Sequence, residues 1–394
     1  ASVLVDVVLP FDLPDARSAP RTATRGESPA RTALVGLGTA VPRHRVAQTT
    51  TAEFMSRALY GEENASKRRV VHRMAERSGI RARHSVLADY GELDPAAFSF
   101  FPPEWSLEPF PTTGQRLAIY EREAAPLAAS AARRALDQAR VAPGEVTHLV
   151  LTTCTGFFAP GPDQQLVHAL GLSPDVKRTL IGFMGCYAGF NGIRTADDIV
   201  RAHPGAVVLQ VAVELCTLHL QKDDRTETLV SNLLFADGAA AAVYRDDAGG
   251  DAPRRARVRG TASRLAPDTE DEMSWRIGDH GFVMRLSPDV PRHLERSVKP
   301  FVEELGRAAG VDRSEVRRWA VHPGGRRVLE ATGGALDAPD DALSASRRVL
   351  SDFGNMSSAT ILFVLDRALH EPGGMVAALG FGPGLTMEGA VFEP

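Results

Sequence analysis

The stretch "VAPGEVTHLVLTTCTG" (141–156) returns in altered form as "GVDRSEVRRWAVHPGG" (310–325), and this echo decides the fold. Val141, Glu145 and Val146 correspond to Val311, Glu315 and Val316 at a common offset of 170. Each copy follows a helix-like run, "EAAPLAASAARRALDQA" (123–139) in the first and "PRHLERSVKPFVEELGRAA" (291–309) in the second. A late strand-like run closes each half, "GAVVLQVAVE" (205–214) and "GGMVAALGFG" (373–382). Self-similarity at a fixed offset marks a duplicated unit, and alternating helices and strands place both units in the α/β class. The sequence therefore predicts two similar layered halves, 32–250 and 251–394, behind an N-terminal extension, 1–31.

The same offset carries Cys186 to position 356, one residue from Asn355. Cys186 lies in "LIGFMGCYAGFNGIRTADDIV" (180–200) and Asn355 in "SDFGNMSSATILFVLDRAL" (351–369), each in a glycine turn that opens a helix. His322 follows the strand-like "RRWAV" and precedes two glycines, so its ring can project into space free of side chains. If the halves pack about a pseudo-twofold axis, these three turns converge. Unpaired N–H groups and the positive end of a helix dipole favour a thiolate at Cys186. A nearby imidazole can hold that thiolate as an ion pair, lowering its pKa from about 8.5. Such a thiolate accepts an acyl group, and His322 with Asn355 offers hydrogen-bond donors to an oxygen gaining negative charge.

Each of these residues also has a plainer reading. A lone cysteine in an α/β protein is commonly a small buried hydrophobe, which suits Cys216 in "VELCTLHL". Most of the histidines are structural or surface residues, and a Gly-Asn pair is commonly a turn or a cap. The matched placement in two halves favours the chemical reading. Papain-like proteases share the Cys, His, Asn order. This chain, however, has no "CGSCW"-like site and no disulfide cysteines, and a protease has no use for the Gly-rich tail "LGFGPGLTMEGAVFEP".

Bulk properties exclude other classes. The 394 residues are 44% hydrophobic and 24% charged with a net charge of −4, which leaves no footprint for nucleic acid or an anionic membrane. Runs such as "ATILFVL" (359–365) are far shorter than the roughly 20 residues of a spanning helix. The opening "ASVLVDVVLPFDLP" has no basic region and does not read as a signal peptide. Three cysteines, at 154, 186 and 216, form no CxxC pair, which suits a reducing cytoplasm. Residues 13–31 read as a connector, and "TALVGLGTAVP" (32–42) as a strand ending in a glycine turn. "GLGTAV" is no dinucleotide fingerprint, since Val41 replaces the third small residue. The Phe- and Pro-rich segment 84–118 is expected to pack on the body or line a cavity, and "RRARVRG" (254–260) to form a solvent-facing strand.

Taken together, "GFMGCYAG", "AVHPGG", "GNMSSAT" and "GFGPGLTMEGAV" resemble the characteristic segments of type III polyketide synthases, the chalcone synthase-like enzymes. The resemblance runs from about residue 32 to the C-terminus. It implies the thiolase fold, with duplicated αβαβα layered halves about a pseudo-twofold axis, and a homodimer needing no metal or redox cofactor. Cys186 is then the nucleophile that carries starter and growing chain. His322 and Asn355 promote decarboxylation of malonyl-CoA and stabilise the enolate. Phe235 matches a gatekeeper phenylalanine, and the second gatekeeper position falls on Met284, a departure that widens that side. Arg73 and Arg77, in "HRMAERSGIRAR", match basic positions that contact coenzyme A, and the resemblance implies Gly324 and Gly325 as further coenzyme A-binding residues. The competing reading of these arginines is a solvated helix face.

Cys154 and Cys216 match cavity positions that are usually threonine in plant enzymes, and Trp275 falls where many relatives have glycine. Tryptophan there resembles the alkylresorcinol-forming kind and glycine the pyrone-forming kind. The resemblance thus implies a fatty acyl starter, malonyl-CoA extender and aldol closure to an alkylresorcinol or resorcylic acid. Alternatives are an alkylpyrone synthase acting by lactonisation, a FabH-like β-ketoacyl synthase, and a catalytically silent partner subunit. Coenzyme A thioesters are the expected substrates, with an acyl-carrier protein as a second route for starter delivery.

Overall fold

The computed structural model describes residues 31–247, 254–339 and 341–394. The extension expected before residue 31 and the boundary at 250/251 lie outside these residues. The first half comprises β1 (Thr32–Ala40), β2 (His44–Ala47), α1 (Gln48–Tyr60), α2 (Ala65–Arg77), β3 (Ala82–Ser85), α3 (Thr113–Ala139) and β4 (His148–Thr153). It continues through α4 (Pro162–Leu170), β5 (Lys177–Gly182), α5 (Ala188–Ala202), β6 (Val207–Leu215), α6 (Thr226–Leu234) and β7 (Asp237–Asp246). The second half comprises β8 (Ala256–Leu265), β9 (Met273–Gly278), β10 (Gly281–Leu286), α7 (Val290–Ala309), β11 (Val316–Val321) and α8 (Arg326–Ala335). It ends with α9 (Ser344–Phe353), α10 (Thr360–His370), β12 (Met375–Gly382) and β13 (Thr386–Glu393).

The strand order is β11-β12-β13-β8-β1-β7-β6-β4-β5. Read outward from the centre, β1-β7-β6-β4 in one half answers β8-β13-β12-β11 in the other. The parallel pair β4/β6 answers the parallel pair β12/β11, the other pairs within these two sets of four are antiparallel, and β5 adds a parallel pairing to β4 at the edge. The halves join through a short antiparallel contact, Ala33 with Arg257 and Leu34 with Ala256. The echo that opened the sequence reading is visible in the turns. α3 ends at Arg140 and α7 at Gly310, both left-handed, with φ of 53° and 62°. Two residues on, Ala142 N–H donates to the Glu145 carboxylate at 3.2 Å and Asp312 N–H to that of Glu315 at 2.8 Å.

Five layers result. α3 covers the outer face of the first half and α7 that of the second. Between the sheets, α5 touches β4, β6, β7 and β13, while α10 touches β11, β12, β1 and β7. Three apolar cores fill the spaces: one around α1 and α3, one around α5 and α10, and one around α7 and α8. Each fully buried large side chain contributes about 1.5–3 kcal/mol.

Glycines set the closest approaches. Gly36 and Gly38 lie inside β1 rather than in a turn that ends it, which corrects the sequence expectation. A Cβ at either would lie 2.2 Å from Ala135 O or 2.3 Å from Ala131 O, so their absence lets α3 rest on the strand. The Phe-rich segment also ends earlier than expected. Thr112 and Gln115 form a reciprocal cap that starts α3 at Thr113. The segment packs on the body: Phe98, Phe101 and Trp105 surround Phe54 at ring distances of 5.5, 5.8 and 6.1 Å. The Asp89 carboxylate accepts the N–H groups of Ser99, Phe100 and Phe101 and fixes its path. "RRARVRG" opens β8, with Ala256 and Val258 buried and Arg257 and Arg259 on the opposite side. Among the described residues no helix is long and apolar enough to cross a membrane.

Gly189, in the first turn of α5, meets the start of α10. A Cβ there would lie 2.5 Å from Ser358 O and 2.7 Å from Ile361 Cγ2. Gly189→Ala should therefore lower stability in chemical denaturation by about 1–3 kcal/mol, the usual cost of overpacking. An unchanged midpoint would show that the two helices can part freely.

Candidate active site

β5 ends at Gly182, and Phe183 and Gly185 follow with φ of 58° and 84°. This tight path delivers Cys186 just ahead of Tyr187, the N-cap of α5. Glycine is required at 185 because a Cβ there would lie 2.5 Å from Pro383 Cδ in the "GFGPG" turn. Two motifs far apart in sequence thus meet at Cys186. His322 directly follows β11, its N–H donating to Leu379 O at 2.7 Å. Asn355 is tied to the chain before β7: its N–H donates to Leu234 O at 3.0 Å, and its carbonyl accepts Ala236 N–H at 2.8 Å. A 3-10 turn, Ser357–Ala359, separates it from α10, so Asn355 stands one turn earlier than a simple helix start.

Cys186, His322 and Asn355 line one cavity of about 390 Å³, together with Phe235, Met284 and Gly324. All three are buried. Asn355 Oδ1 accepts Ser357 N–H at 2.8 Å and the Thr360 hydroxyl at 3.4 Å. Its NH2 group is therefore the part left to donate into the cavity. Neither ring nitrogen of His322 has a hydrogen-bond partner among the described residues, so the imidazole is available to a bound molecule.

A second chamber of about 320 Å³ adjoins the first across Cys186, Phe235 and Met284, and Cys154, Cys216, Trp275 and Ser357 complete it. Trp275 Nε1–H donates to Cys154 O at 2.8 Å, which fixes the indole as a wall. Cys154 Sγ accepts Gly185 N–H at 3.1 Å, so this thiol braces the turn that carries Cys186. Cys216 starts a 3-10 turn, Cys216–His219, and lines the chamber, contrary to its plainer reading as a mere core residue. Arg73 and Arg77 lie outside both cavities, on the exposed side of α2 with Arg69. Gly325 caps α8 at φ 144°, with nothing nearer to a Cβ there than Leu234 Cδ1 at 4.0 Å. No group of three or more His, Cys, Asp or Glu among the described residues could hold a metal.

Sequence reading missed Glu214, at the end of β6. Its carboxylate accepts Cys154 N–H and the Thr155 hydroxyl, each at 2.9 Å, and the Ser358 hydroxyl. It thereby ties the Cys154 loop to the Asn355 turn. A single acid closing the apolar run "VLQVAVEL" was the available signal. Burial raises its pKa from 4.5 to about 7, against hydrogen bonds from Ser358, Cys154 and Thr155. Between those values the folded protein keeps a proton that the unfolded chain has released, so Glu214 makes stability fall as pH rises through that window.

Burial acts against the ion pair expected from sequence. Burial pushes the Cys186 thiol up to about 11, with hydrogen bonding from Ser357 and Asn355 opposing the rise. Burial likewise pushes His322 down to about 3. Burial thus disfavours the charged form of each group.

Sequence models of the chalcone and stilbene synthases match the chain: the N-terminal domain over residues 18–248 and the C-terminal domain over 257–394. Among curated proteins, "Alpha-pyrone synthesis polyketide synthase-like Pks18" of Mycobacterium tuberculosis is 33% identical over 91% of this chain and 90% of its own length. The 1,3,6,8-tetrahydroxynaphthalene synthase of Streptomyces peucetius subsp. caesius is 35% identical over 91% of this chain and 92% of its own. Among solved structures, PKS-I of the brown alga Ectocarpus siliculosus superposes with a TM-score of 0.86 at 30% identity, covering 94% of this chain and 100% of that one. The C-terminal type III polyketide synthase domain of Steely1 from Dictyostelium gives 0.84 at 28%, covering 92% and 99%.

The neutral resting state predicts how the thiol reacts. Alkylation of Cys186 by iodoacetamide should climb with pH through 9 without levelling, as befits a thiol pushed up to about 11. A plateau reached below about pH 7 would instead reveal a preformed thiolate–imidazolium pair.

Proposed function

Since the chain belongs to the chalcone and stilbene synthase family, the type III polyketide synthases, we propose that it loads a long-chain fatty acyl starter onto Cys186 and extends it with malonyl-CoA. The tetraketide then closes by aldol condensation to a 5-alkylresorcinol or a resorcylic acid. In loading, the Cys186 sulfur attacks the thioester carbonyl, its proton passes to His322, and the coenzyme A thiol leaves with that proton. In extension, the C–CO2 bond of malonyl-CoA breaks, carbon dioxide departs, and the electron pair forms a thioester enolate. The enolate oxygen accepts hydrogen bonds from the His322 ring N–H and the Asn355 NH2. The enolate carbon then attacks the Cys186 thioester, a C–C bond forms, and the thiolate is released for the next round.

The neutral pair of the free protein suits both steps. A neutral imidazole can take the thiol proton during loading, and its N–H can donate to the enolate afterwards. On the cavity's open side, Gly324 and Gly325 leave room for the pantetheine arm, passing Phe235 and Met284. Arg73 and Arg77 supply positive charge for the phosphates of coenzyme A on the exposed side of α2.

The product rests on Trp275. With its N–H bound to Cys154 O, the indole narrows the chamber beside Cys186, so a growing chain must fold back there. Folding back brings a chain carbon to a carbonyl, the geometry of aldol closure. Release by lactonisation is the second reading, favoured by the α-pyrone function in the name of the relative Pks18.

We propose further that the protein is a homodimer built on β5. This strand is at one end of the sheet, Lys177–Leu180 are exposed, and Leu180 and Met184 are 44% and 38% accessible. An open sheet edge carrying the exposed apolar side chains of Leu180 and Met184 invites an isologous partner. Light scattering should give a dimer mass, and Leu180→Asp should give a monomer. A parent protein that elutes as a monomer ends this reading.

Purified protein given a long-chain acyl-CoA and carbon-13 malonyl-CoA should yield a labelled alkylresorcinol. The intact protein should gain one acyl mass, absent in Cys186→Ala. An adduct persisting on that variant would move the nucleophile to Cys154 or Cys216. Trp275→Gly should shift product from resorcinol toward pyrone; an unchanged ratio would end the argument from the indole wall.

A further inference from the structure

Within five residues the chain climbs from the Cys186 chamber to the surface: His322 and Pro323 are buried, Gly324 and Gly325 half-buried, and Arg326, the first residue of α8, is exposed. Gly324 lines the chamber, and Gly325 lies beside Leu234, which lines it too. The Arg326 stem then rests over Gly79. A Cβ at Gly79 would stand 3.7 Å from Arg326 Cδ and 3.9 Å from its Cβ and Cγ. Gly79 comes two residues after Arg77, the last residue of α2. Arg326 is thus seated against the C-terminal end of α2, beside the half-buried glycines.

α2 divides its cations. Arg68 pairs with the Glu53 carboxylate at 2.6 Å, and Lys67 with Asp224 at 2.9 Å. Arg69, Arg73 and Arg77, spaced four apart on the exposed side, make no ion pair with any described residue. Residues four apart on a helix are neighbours, and like charges so placed repel. A bound polyanion relieves that repulsion. The stripe runs about 12 Å from Arg77 to Arg69, and Arg326 adds a cation at its inner end. Arg326 pairs with Glu330 on its own helix, Nε to Oε1 at 3.0 Å, with both side chains more than half exposed. Such surface pairs contribute little and exchange readily. Arg327, the next residue, lines a different groove with Pro291, Glu295 and Glu330 on the α7 side.

We infer that Arg326 is a coenzyme A ligand: its guanidinium and that of Arg77 hold the diphosphate, and Arg73 with Arg69 receives the 3′-phosphate. This rests on the proposed reading that coenzyme A thioesters enter beside Gly324. The order of groups on the two sides matches. Outward from its thiol, coenzyme A carries a pantetheine arm, a diphosphate, and then a ribose bearing the 3′-phosphate. Outward from the Cys186 chamber, the protein presents two glycines, then Arg326 with Arg77, then Arg73 and Arg69. A planar guanidinium grips phosphate oxygens through paired N–H donors, so two of them suit a diphosphate.

Coenzyme A and 3′-dephospho-coenzyme A, titrated calorimetrically into the full-length protein, separate the two phosphate sites. The parent should bind coenzyme A the more tightly. Arg326→Ala should weaken both ligands alike, roughly tenfold, the scale of one hydrogen bond to a charged group. The KM for malonyl-CoA should rise by a similar factor. Arg73→Ala should weaken coenzyme A and leave the dephospho ligand unchanged. Arg327→Ala should leave both at parental affinity, a control for net charge alone. Arg326→Lys should recover part of the affinity, and Arg326→Gln carries the same comparison if the Ala variant does not fold. Parental affinity in a folded Arg326→Ala, a loss confined to coenzyme A, or an equal loss in Arg327→Ala would each overturn the inference. If the parent still takes an acyl group on Cys186, such a result removes the Arg326 assignment alone. A parent that binds no coenzyme A and gains no acyl mass overturns the coenzyme A reading, and this inference with it.

Discussion

The contact between the starts of α5 and α10 governs the geometry of the site. Gly189 meets Ser358 O with no side chain between them, so main chain faces main chain across the two halves. The Gly189 carbonyl is itself held by Gln210 Nε2–H at 2.8 Å, and Gln210 is held by the Tyr244 hydroxyl at 3.0 Å. Cys186 and Asn355 lie just ahead of these two helix starts. Their separation is therefore a property of the middle layer and depends little on surface loops. Duplication makes this possible: two copies of one unit, turned to face each other, bring equivalent turns to one point.

The electrostatic character of the chamber follows from the same burial. Burial disfavours the charged forms of the Cys186 thiol and the His322 imidazole alike. Glu214 is the exception, a buried acid whose carboxylate is ringed by donors from the Cys154 loop and from Ser358. Its hydrogen bonds join loops of both halves, so the carboxylate carries structural weight even though its charge is costly.

Much of this was legible before any coordinates. The offset between Val141, Glu145, Val146 and their counterparts foretold the matched strand order, and the glycine turns around Cys186, His322 and Asn355 foretold their shared cavity. Local pattern failed where tertiary contact decides. Gly36 and Gly38 read as a turn because nothing in their neighbours announces that Ala131 and Ala135 will press on them. Thr113 reads as loop because its cap follows a Pro-rich run. The thiolate expected at Cys186 depends on solvent access, which no spacing encodes. Glu214 escaped notice for a related reason: it acts through a partner distant in sequence, Ser358.

The short bridge between the chain at Phe235 and that at Asn355 has a consequence for how such an enzyme can change. Main-chain bonds on either side of Asn355 lock its backbone to the backbone around Phe235. With Phe235 as the proposed gatekeeper, the aperture can be altered by rotating or replacing its side chain while the backbone at Asn355 keeps its coordinates. Substrate scope becomes a separately adjustable trait, free to drift by single substitutions at the doorway without a toll on the chemistry inside.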